Sequence, residues 1–166
     1  MRVLVTAASK HGATSEIADV IADRLAKQGM DVVQRLPADV TALDGFDAVV
    51  LGSAVYAGRW LDAAKQLVDR LGAELRDRQV WVFSSGPLGD PLKPEQDPID
   101  AAAMLEATGA RDHRIFAGRL DRSLLGFGDK AIVVALRAPE GDFRDWDAIR
   151  AWADDISTTL GQHVRS

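Results

Sequence analysis

The segment with the clearest capacity for chemistry runs from Ala7 to Thr14, between a short apolar run and a helical pattern. Its small residues let a ligand approach the backbone, and Ser9 and Thr14 carry hydroxyl donors. A helix that begins here adds free N–H groups and the positive end of its dipole. These donors suit an anion, most naturally a phosphate, and the alternative is a solvated turn with a hydroxyl cap. Lys10 and His11 either add positive charge to this segment or face water.

A second segment, 52–60, combines two glycines with aromatic residues and includes Tyr56, the only tyrosine. A planar ligand ring could stack on Tyr56 or on Trp60. The alternative for Trp60 is that it caps the next helix and packs into the core. Gly58 has the backbone freedom for a hinge beside such a ring.

A third segment, 84–90, is small and polar and contains no aromatic residue. Its backbone groups suit hydrogen bonding along the edge of a heterocycle, although an ordinary Gly/Pro turn has the same composition. Neither a G-x-G-x-x-G pattern nor a G-x-x-x-x-G-K-[ST] pattern is present. The expected ligand is therefore a mononucleotide rather than a dinucleotide or a nucleoside triphosphate.

Alternating apolar strands and amphipathic helices must position these three segments. Continuous apolar runs predict strands at 3–5, 31–36, 48–51, 80–83 and 114–117. Apolar spacing predicts helices over 13–28 and 60–71, from Asp97-Pro98 to about Gly109, and from about Asp145 to Gly161. The run 123–138 fits a strand by its valines and a helix by its alanines and length, and periodicity does not decide between them.

This order predicts an α/β fold with a doubly wound, five-stranded parallel sheet of order 2-1-3-4-5 and helices on both faces. In such a sheet, ligands bind beyond the carboxyl ends of the strands, at the switch point between strands 1 and 3. The segments 7–14, 52–60 and 84–90 follow strands 1, 3 and 4. The topology therefore predicts that all three meet at one ligand site.

Composition narrows the possible functions. The 166 residues, of which 47% are hydrophobic, make a single domain over 1–166. The absence of cysteine excludes disulfides, thiolate metal sites and cysteine nucleophiles. A net charge of −5 argues against nucleic acid as a partner, and the three histidines lie on unrelated elements, so we expect no metal site. No membrane span and no signal peptide are evident, which predicts a cytoplasmic protein.

The residues A-S-K-H-G-A-T at 8–14 and G-S-A-V-Y-A-G-R-W at 52–60 resemble the flavodoxin family. The resemblance is closest to the branch of the menaquinone-dependent protoporphyrinogen oxidases and their small single-domain relatives. It extends to 116–120 and to 139–146, and it therefore covers nearly the whole chain. It implies a flavodoxin-like fold, an insert at 121–145 between strand 5 and the last helix, and a helix at 123–138.

The resemblance also implies bound FMN, with its phosphate held by 9–14 and its ring flanked by 54–60 and 84–89. The expected cofactor-binding residues are Ser9, Lys10, His11, Gly12, Ala13, Thr14, Ala54, Val55, Tyr56, Ala57, Gly58, Trp60, Ser84, Ser85, Gly86, Pro87, Leu88 and Gly89. No catalytic acid–base residue is assigned. The insert is basic and aromatic in the oxidases, whereas here it is short and nearly neutral.

Three functions fit this pattern. In the first, a flavin-dependent oxidoreductase passes electrons or hydride from a donor to a quinone, a porphyrinogen-type molecule or a protein. In the second, a non-enzymatic electron carrier docks on partner proteins. In the third, the same loops bind a deazaflavin, which shares the ribityl-phosphate stem and transfers only hydride. The apolar run at 123–138 leaves three roles open: it covers the ring, forms the contact of a homodimer or binds a hydrophobic substrate.

Overall fold

A computed structural model describes residues 1–10, 12–56, 59–86, 100–117, 119–120, 141–142 and 144–165. Its elements, in chain order, are β1 (Arg2–Ala8), α1 (Ala13–Lys27), β2 (Asp31–Arg35), a 3₁₀ turn (Pro37–Asp39), β3 (Ala48–Tyr56), β4 (Arg59–Trp60), α2 (Asp62–Arg76), β5 (Gln79–Ser85), α3 (Ala101–Thr108), β6 (Asp112–Phe116), β7 (Arg119–Leu120), β8 (Gly141–Asp142) and α4 (Trp146–Arg165).

The five long strands form one parallel sheet in the order β2-β1-β3-β5-β6. Counted without β4, this is the predicted 2-1-3-4-5 order, which is confirmed. The short β4 pairs antiparallel with the end of β3, and β7 pairs antiparallel with β8. The connections between parallel strands place helices on both faces of the sheet.

Alternate residues of β1 face two separate apolar layers. Val3 and Val5 pack with α1 and α4, whereas Leu4 packs with α2 on the opposite face. The apolar positions of α1, Ile17, Ile21 and Leu25, have no solvent exposure. Each such side chain contributes about 1.5–3 kcal/mol by leaving water.

Gly52 leaves room for an aromatic cluster on the α1 face. A Cβ atom built on Gly52 would lie 2.1 Å from the Phe83 ring. That ring packs against Phe116 and Trp152, with centroid separations of 5.9 and 6.0 Å. Any larger residue at position 52 would therefore force the Phe83 ring to shift.

The boundaries of several elements differ from the sequence prediction. Gly72 does not end α2, because the buried Leu75 continues the apolar face to Arg76. Gly161 does not end α4, which runs to Arg165. By contrast, α3 ends at Gly109 as predicted, in the left-handed conformation with φ +64°.

The strands β3, β5 and β6 also extend beyond the apolar runs that identified them. Small buried residues such as Gly52 and Ser53 continue the pairing of β3 with β1 on one side and with β5 on the other. The proposed helix start at Asp97-Pro98 and the undecided run 123–138 lie outside the described residues.

Candidate functional site

The carboxyl ends of three neighbouring strands bring the predicted segments together. Ala8 of β1 pairs with Ser53 of β3, which pairs with Ser84 of β5. Adjacent strands in a sheet lie about 4.8 Å apart. The segments that follow β1, β3 and β5 therefore leave the sheet side by side, at the edge that the topology predicts for a ligand.

The loop between β1 and α1 presents backbone donors to this edge. Gly12, the N-cap residue of α1, adopts φ +89°, a left-handed conformation that glycine reaches without steric cost. Its carbonyl accepts the first helical hydrogen bond, from Glu16 N at 3.0 Å. The amides of residues 13–15 precede that bond and so have no partner within the helix.

Ser9 shapes the loop from its other side. Its Oγ accepts a hydrogen bond from the Gly12 N–H at 3.0 Å, which leaves the hydroxyl proton available to a ligand. A Cβ atom at Gly12 would meet nothing within 4 Å, so the space beside this turn is open. Lys10 is exposed and Ala13 half-buried, whereas Thr14 is buried. Free amides, a hydroxyl and a helix N-terminus fit a phosphate group.

Trp60 has the geometry of the packing alternative rather than of a ligand platform. Its side chain is 2% exposed and lies in the apolar layer on the α2 face. The indole Nε1 donates to Ser84 Oγ at 2.8 Å, and the backbone N–H donates to Asp100 Oδ2 at 3.0 Å. Tyr56 ends β3, while its side chain, Ala57 and Gly58 lie outside what the structure describes.

The buried hydroxyl of Ser53 and the carboxylate of Asp100 hold the two ends of the segment 54–60 by hydrogen bonds. Ser53 Oγ accepts from Leu61 N at 2.9 Å and donates to Ala54 O at 2.8 Å. The mostly buried carboxylate of Asp100 also pairs with Lys65 Nζ at 3.4 Å. The two ends of this loop are thereby fixed to the sheet and to α3.

Ser84 links Trp60 to His113, a contact that the sequence analysis did not identify. Ser84 Oγ lies 2.8 Å from His113 Nε2 and is fully buried. Because the indole can only donate, the hydroxyl accepts from Trp60 and still has one proton and one lone pair for the imidazole. Ser84 therefore supports the loop from the core, and no pattern in the sequence pairs these three residues.

The end of β5 approaches the end of β3. Gly86 N donates to Phe116 O at 3.2 Å, and a Cβ atom on Gly86 would lie 3.2 Å from Val55 O. The neighbouring Ser85 and Ala54 are buried, and Val55 is half-buried. The backbones of the second and third segments are therefore in close proximity here. Pro87, Leu88 and Gly89 lie outside the described residues, as does His11 of the first segment.

Arg144 lies against the first turn of α1, where it contacts Ala13 and Glu16. Its side chain is 3% exposed, and its Nη1 donates to Glu16 Oε2 at 2.9 Å. Its Nε and Nη2 donate to the two carboxylate oxygens of Asp142 at 2.8 and 2.6 Å. The hydrogen bonds to Asp142 raise the pKa of the Arg144 guanidinium, and those to Glu16 add to this shift.

Within the part of the chain that the structure describes, no group of three or more His, Cys, Asp or Glu residues could hold a metal ion. Among the described helices, none is both long enough and apolar enough to cross a membrane.

Comparison with known proteins identifies the family. The family model for the flavodoxin domain matches residues 4–147. The chain belongs to the flavodoxin domain family. A flavodoxin from the domain Archaea superposes with a TM-score of 0.67 at 19% identity, over 97% of this chain and 99% of the other. A flavodoxin of Streptococcus pneumonia TIGR4 gives 0.65 at 19% identity, over 96% and 99%.

A larger protein contains the same fold. Rubredoxin oxygen:oxidoreductase from Desulfovibrio gigas superposes with a TM-score of 0.67 at 14% identity, over 99% of this chain but 37% of the other. At these identities the structural matches establish the fold alone. Membership of the flavodoxin family implies a flavin, typically FMN, which is consistent with an electron carrier.

Proposed function

We propose that this protein binds FMN at the carboxyl edge of its sheet and transfers electrons between a donor and an acceptor. The observation that carries the proposal is the turn at 9–14, where the Ser9 hydroxyl and the unbonded amides at the start of α1 offer donors to a phosphate, and Gly12 shapes the turn. Bound FMN supplies one- and two-electron transfer, and the protein supplies its position and surroundings.

The residues proposed to hold the cofactor fall into two groups, which contact the phosphate and the ring of FMN. Ser9 and the amides of residues 13–15 hold the phosphate, with Gly12 shaping the turn and Lys10 and His11 beside it. The segments 54–58 and 85–89 flank the ring, and Tyr56 stacks on it. Trp60 and Ser84 do not contact the cofactor in this proposal, and their hydrogen bond holds the segment 54–58 in place.

We further propose that the electron acceptor is a quinone, a porphyrinogen-type molecule or a protein. The resemblance of the sequence to the protoporphyrinogen oxidase branch supports the first two. The net charge of −5 supports a protein partner with a basic surface. Turnover with a menaquinone analogue, protoporphyrinogen or a basic redox protein, each tested with the reduced FMN complex, separates the three.

The cofactor is tested by spectral titration of the purified protein with FMN and, separately, with a deazaflavin. We expect FMN to bind at one equivalent, with visible bands that are displaced and fluorescence that is quenched relative to free FMN. A response to the deazaflavin alone would assign the same site to a hydride carrier. A lack of response to both would overturn the proposal.

A further inference from the structure

We propose that Arg144 is a positioning residue for the cofactor phosphate, because it offsets part of the Glu16 charge and contacts the first turn of α1. This inference rests on the proposed FMN site. It concerns a residue outside the three segments that the sequence analysis selected.

The surroundings of Arg144 are unusual for a charged side chain. It is 3% exposed, and two carboxylates, Asp142 and Glu16, hold three of its nitrogens in hydrogen bonds of 2.6 to 2.9 Å. The guanidinium also stacks over the Trp146 ring, 4.5 Å from its centroid. A guanidinium bonded in this way has a single orientation and cannot exchange freely with water.

One of these contacts reaches the proposed phosphate site. Arg144 Nη1 lies 2.9 Å from Glu16 Oε2 and 3.4 Å from Ala13 O. Ala13 is the first residue of α1, and Glu16 is the only acidic residue in its first turn. Arg144 therefore contacts the same helical turn whose amides face the phosphate.

The ion pair between Arg144 and Glu16 changes the electrostatic environment of a phosphate bound at the start of α1. A carboxylate in the first turn stabilises the helix dipole, but it repels a phosphate dianion bound at the same terminus. The positive charge of Arg144 beside Glu16 reduces that repulsion while the helix retains its acidic residue. The contact with Ala13 O meanwhile ties the start of α1 to the segment that leads into α4.

A purely structural role makes a different prediction. If Arg144 only joined two segments, its loss would weaken FMN and riboflavin binding alike, because riboflavin has the same ring and ribityl chain without the phosphate. A role at the phosphate weakens FMN binding selectively. The ratio of the two dissociation constants therefore distinguishes the two roles.

The experiment measures that ratio by fluorescence titration of the full chain with FMN and with riboflavin. For Arg144→Gln we expect FMN affinity to fall about tenfold more than riboflavin affinity at low salt, with a smaller excess at high salt. Adding Glu16→Gln to this variant should restore most of the excess loss. Glu16→Gln alone should shift the ratio towards FMN, because Arg144 is shared with Asp142 and offsets only part of the Glu16 charge.

Two further variants keep the test informative. Arg144→Lys retains the charge and should preserve most of the ratio, even if the loss of bidentate bonds lowers stability. Arg24→Gln removes an ion pair with Asp154 at the far end of α1 and should leave the ratio unchanged. Thermal unfolding of each variant confirms that it is folded.

An unchanged ratio in Arg144→Gln would overturn the inference, as would a loss that Glu16→Gln does not restore. Wild-type protein that binds neither ligand would instead overturn the proposed function itself. The two failures are therefore distinguishable.

Discussion

At the residue scale, Ser9 connects the shape of the β1–α1 turn to its proposed ligand. Its Oγ accepts from the Gly12 N–H, and its hydroxyl proton remains to be donated. Gly12 completes the turn because φ +89° disfavours residues with a side chain. The same few atoms thus set the conformation of the turn and the donors that it offers.

Ser9→Ala removes one donor to the phosphate and loosens the turn. We expect FMN affinity to fall about 10- to 150-fold, since hydrogen bonds to charged groups contribute about 1.5–3 kcal/mol, while riboflavin affinity changes much less. Thr158→Ala, at an exposed hydroxyl on α4, serves as the control. Equal affinity of wild type and Ser9→Ala for FMN would contradict the phosphate assignment.

Tyr56 and Trp60 are expected to differ in their effect on the flavin. Tyr56→Leu should reduce the quenching of flavin fluorescence, because an aliphatic side chain cannot stack on the ring in the same way. Trp60→Phe should retain most of the quenching, because the Trp60 side chain is 2% exposed. Steady-state fluorescence of the FMN complexes measures both, and the reverse order would place Trp60 on the ring.

The hydrogen bond between Trp60 and Ser84 should couple the stability effects of the two residues. Ser84→Ala leaves a buried indole N–H without this acceptor, so the free energy of unfolding should fall by about 1–3 kcal/mol. Trp60→Phe removes the same bond from the other side. Urea unfolding of both single variants and the double variant should give a coupling of about 1 kcal/mol, whereas strictly additive effects would argue against the bond.

At the scale of elements, α1 is the helix that positions the proposed phosphate site, and it is held at both ends. Arg144 contacts its first turn, and Arg24 in its last turn pairs with Asp154 of α4 at 2.7 Å. Between these contacts, its buried apolar face packs in the layer that it shares with α4. The orientation of the helix N-terminus towards the site follows from this packing.

The pair Arg24–Asp154 predicts an acid dependence of stability. Hydrogen bonds from Arg24, reinforced by its charge, lower the pKa of Asp154. A lowered pKa gives stability that is present above the unfolded pKa and lost as pH falls through the folded one. The stability deficit of Asp154→Asn relative to wild type should therefore be constant near neutrality and shrink below about pH 4.

Thermal unfolding of wild type and Asp154→Asn across pH 2–7 measures this deficit. Asp155→Asn, at the exposed neighbouring position, is the matched control and should differ little from wild type at any pH. A deficit of Asp154→Asn that grows on acidification would contradict the assigned pair.

The order of the parallel strands could be predicted from the sequence because their apolar runs are continuous, as burial on both faces requires. The residues at which these strands end could not be predicted in this way. Gly52 and Ser53 have low strand propensity alone, and they extend β3 only because β1 and β5 lie on either side. Gly161 similarly remains helical inside α4, where it follows the buried Leu160.

The three segments of the site were predictable because sheet topology fixes where strands end. The direction of the Trp60 side chain was not, since it depends on Ser84, which lies 24 residues away in the chain. The sequence also provided no indication that Arg144 contacts the site. Between Asp142 and Asp145, it has the sequence pattern of a solvated charge, and only the fold brings it to α1.

At the scale of the whole molecule, one edge of the sheet collects the features proposed for cofactor binding. The turn at 9–14 and the ends of β3 and β5 lie at the carboxyl edge, and the buried Ser53 and Ser84 bond to Leu61 and Trp60 beside it. The match to the flavodoxin domain over residues 4–147 spans all of these elements. We therefore expect FMN to occupy this edge.

The most direct test is a titration of isotope-labelled protein with FMN, followed by amide NMR chemical shifts. We predict that the largest shifts fall on the amides of Gly12, Ala13 and Thr14 and on Gly86, and that they saturate at one equivalent. Amides at the amino edge of the sheet, such as those of Arg2 and Gln79, should remain unchanged. Shifts concentrated at that opposite edge, or no shifts at all, would contradict the account.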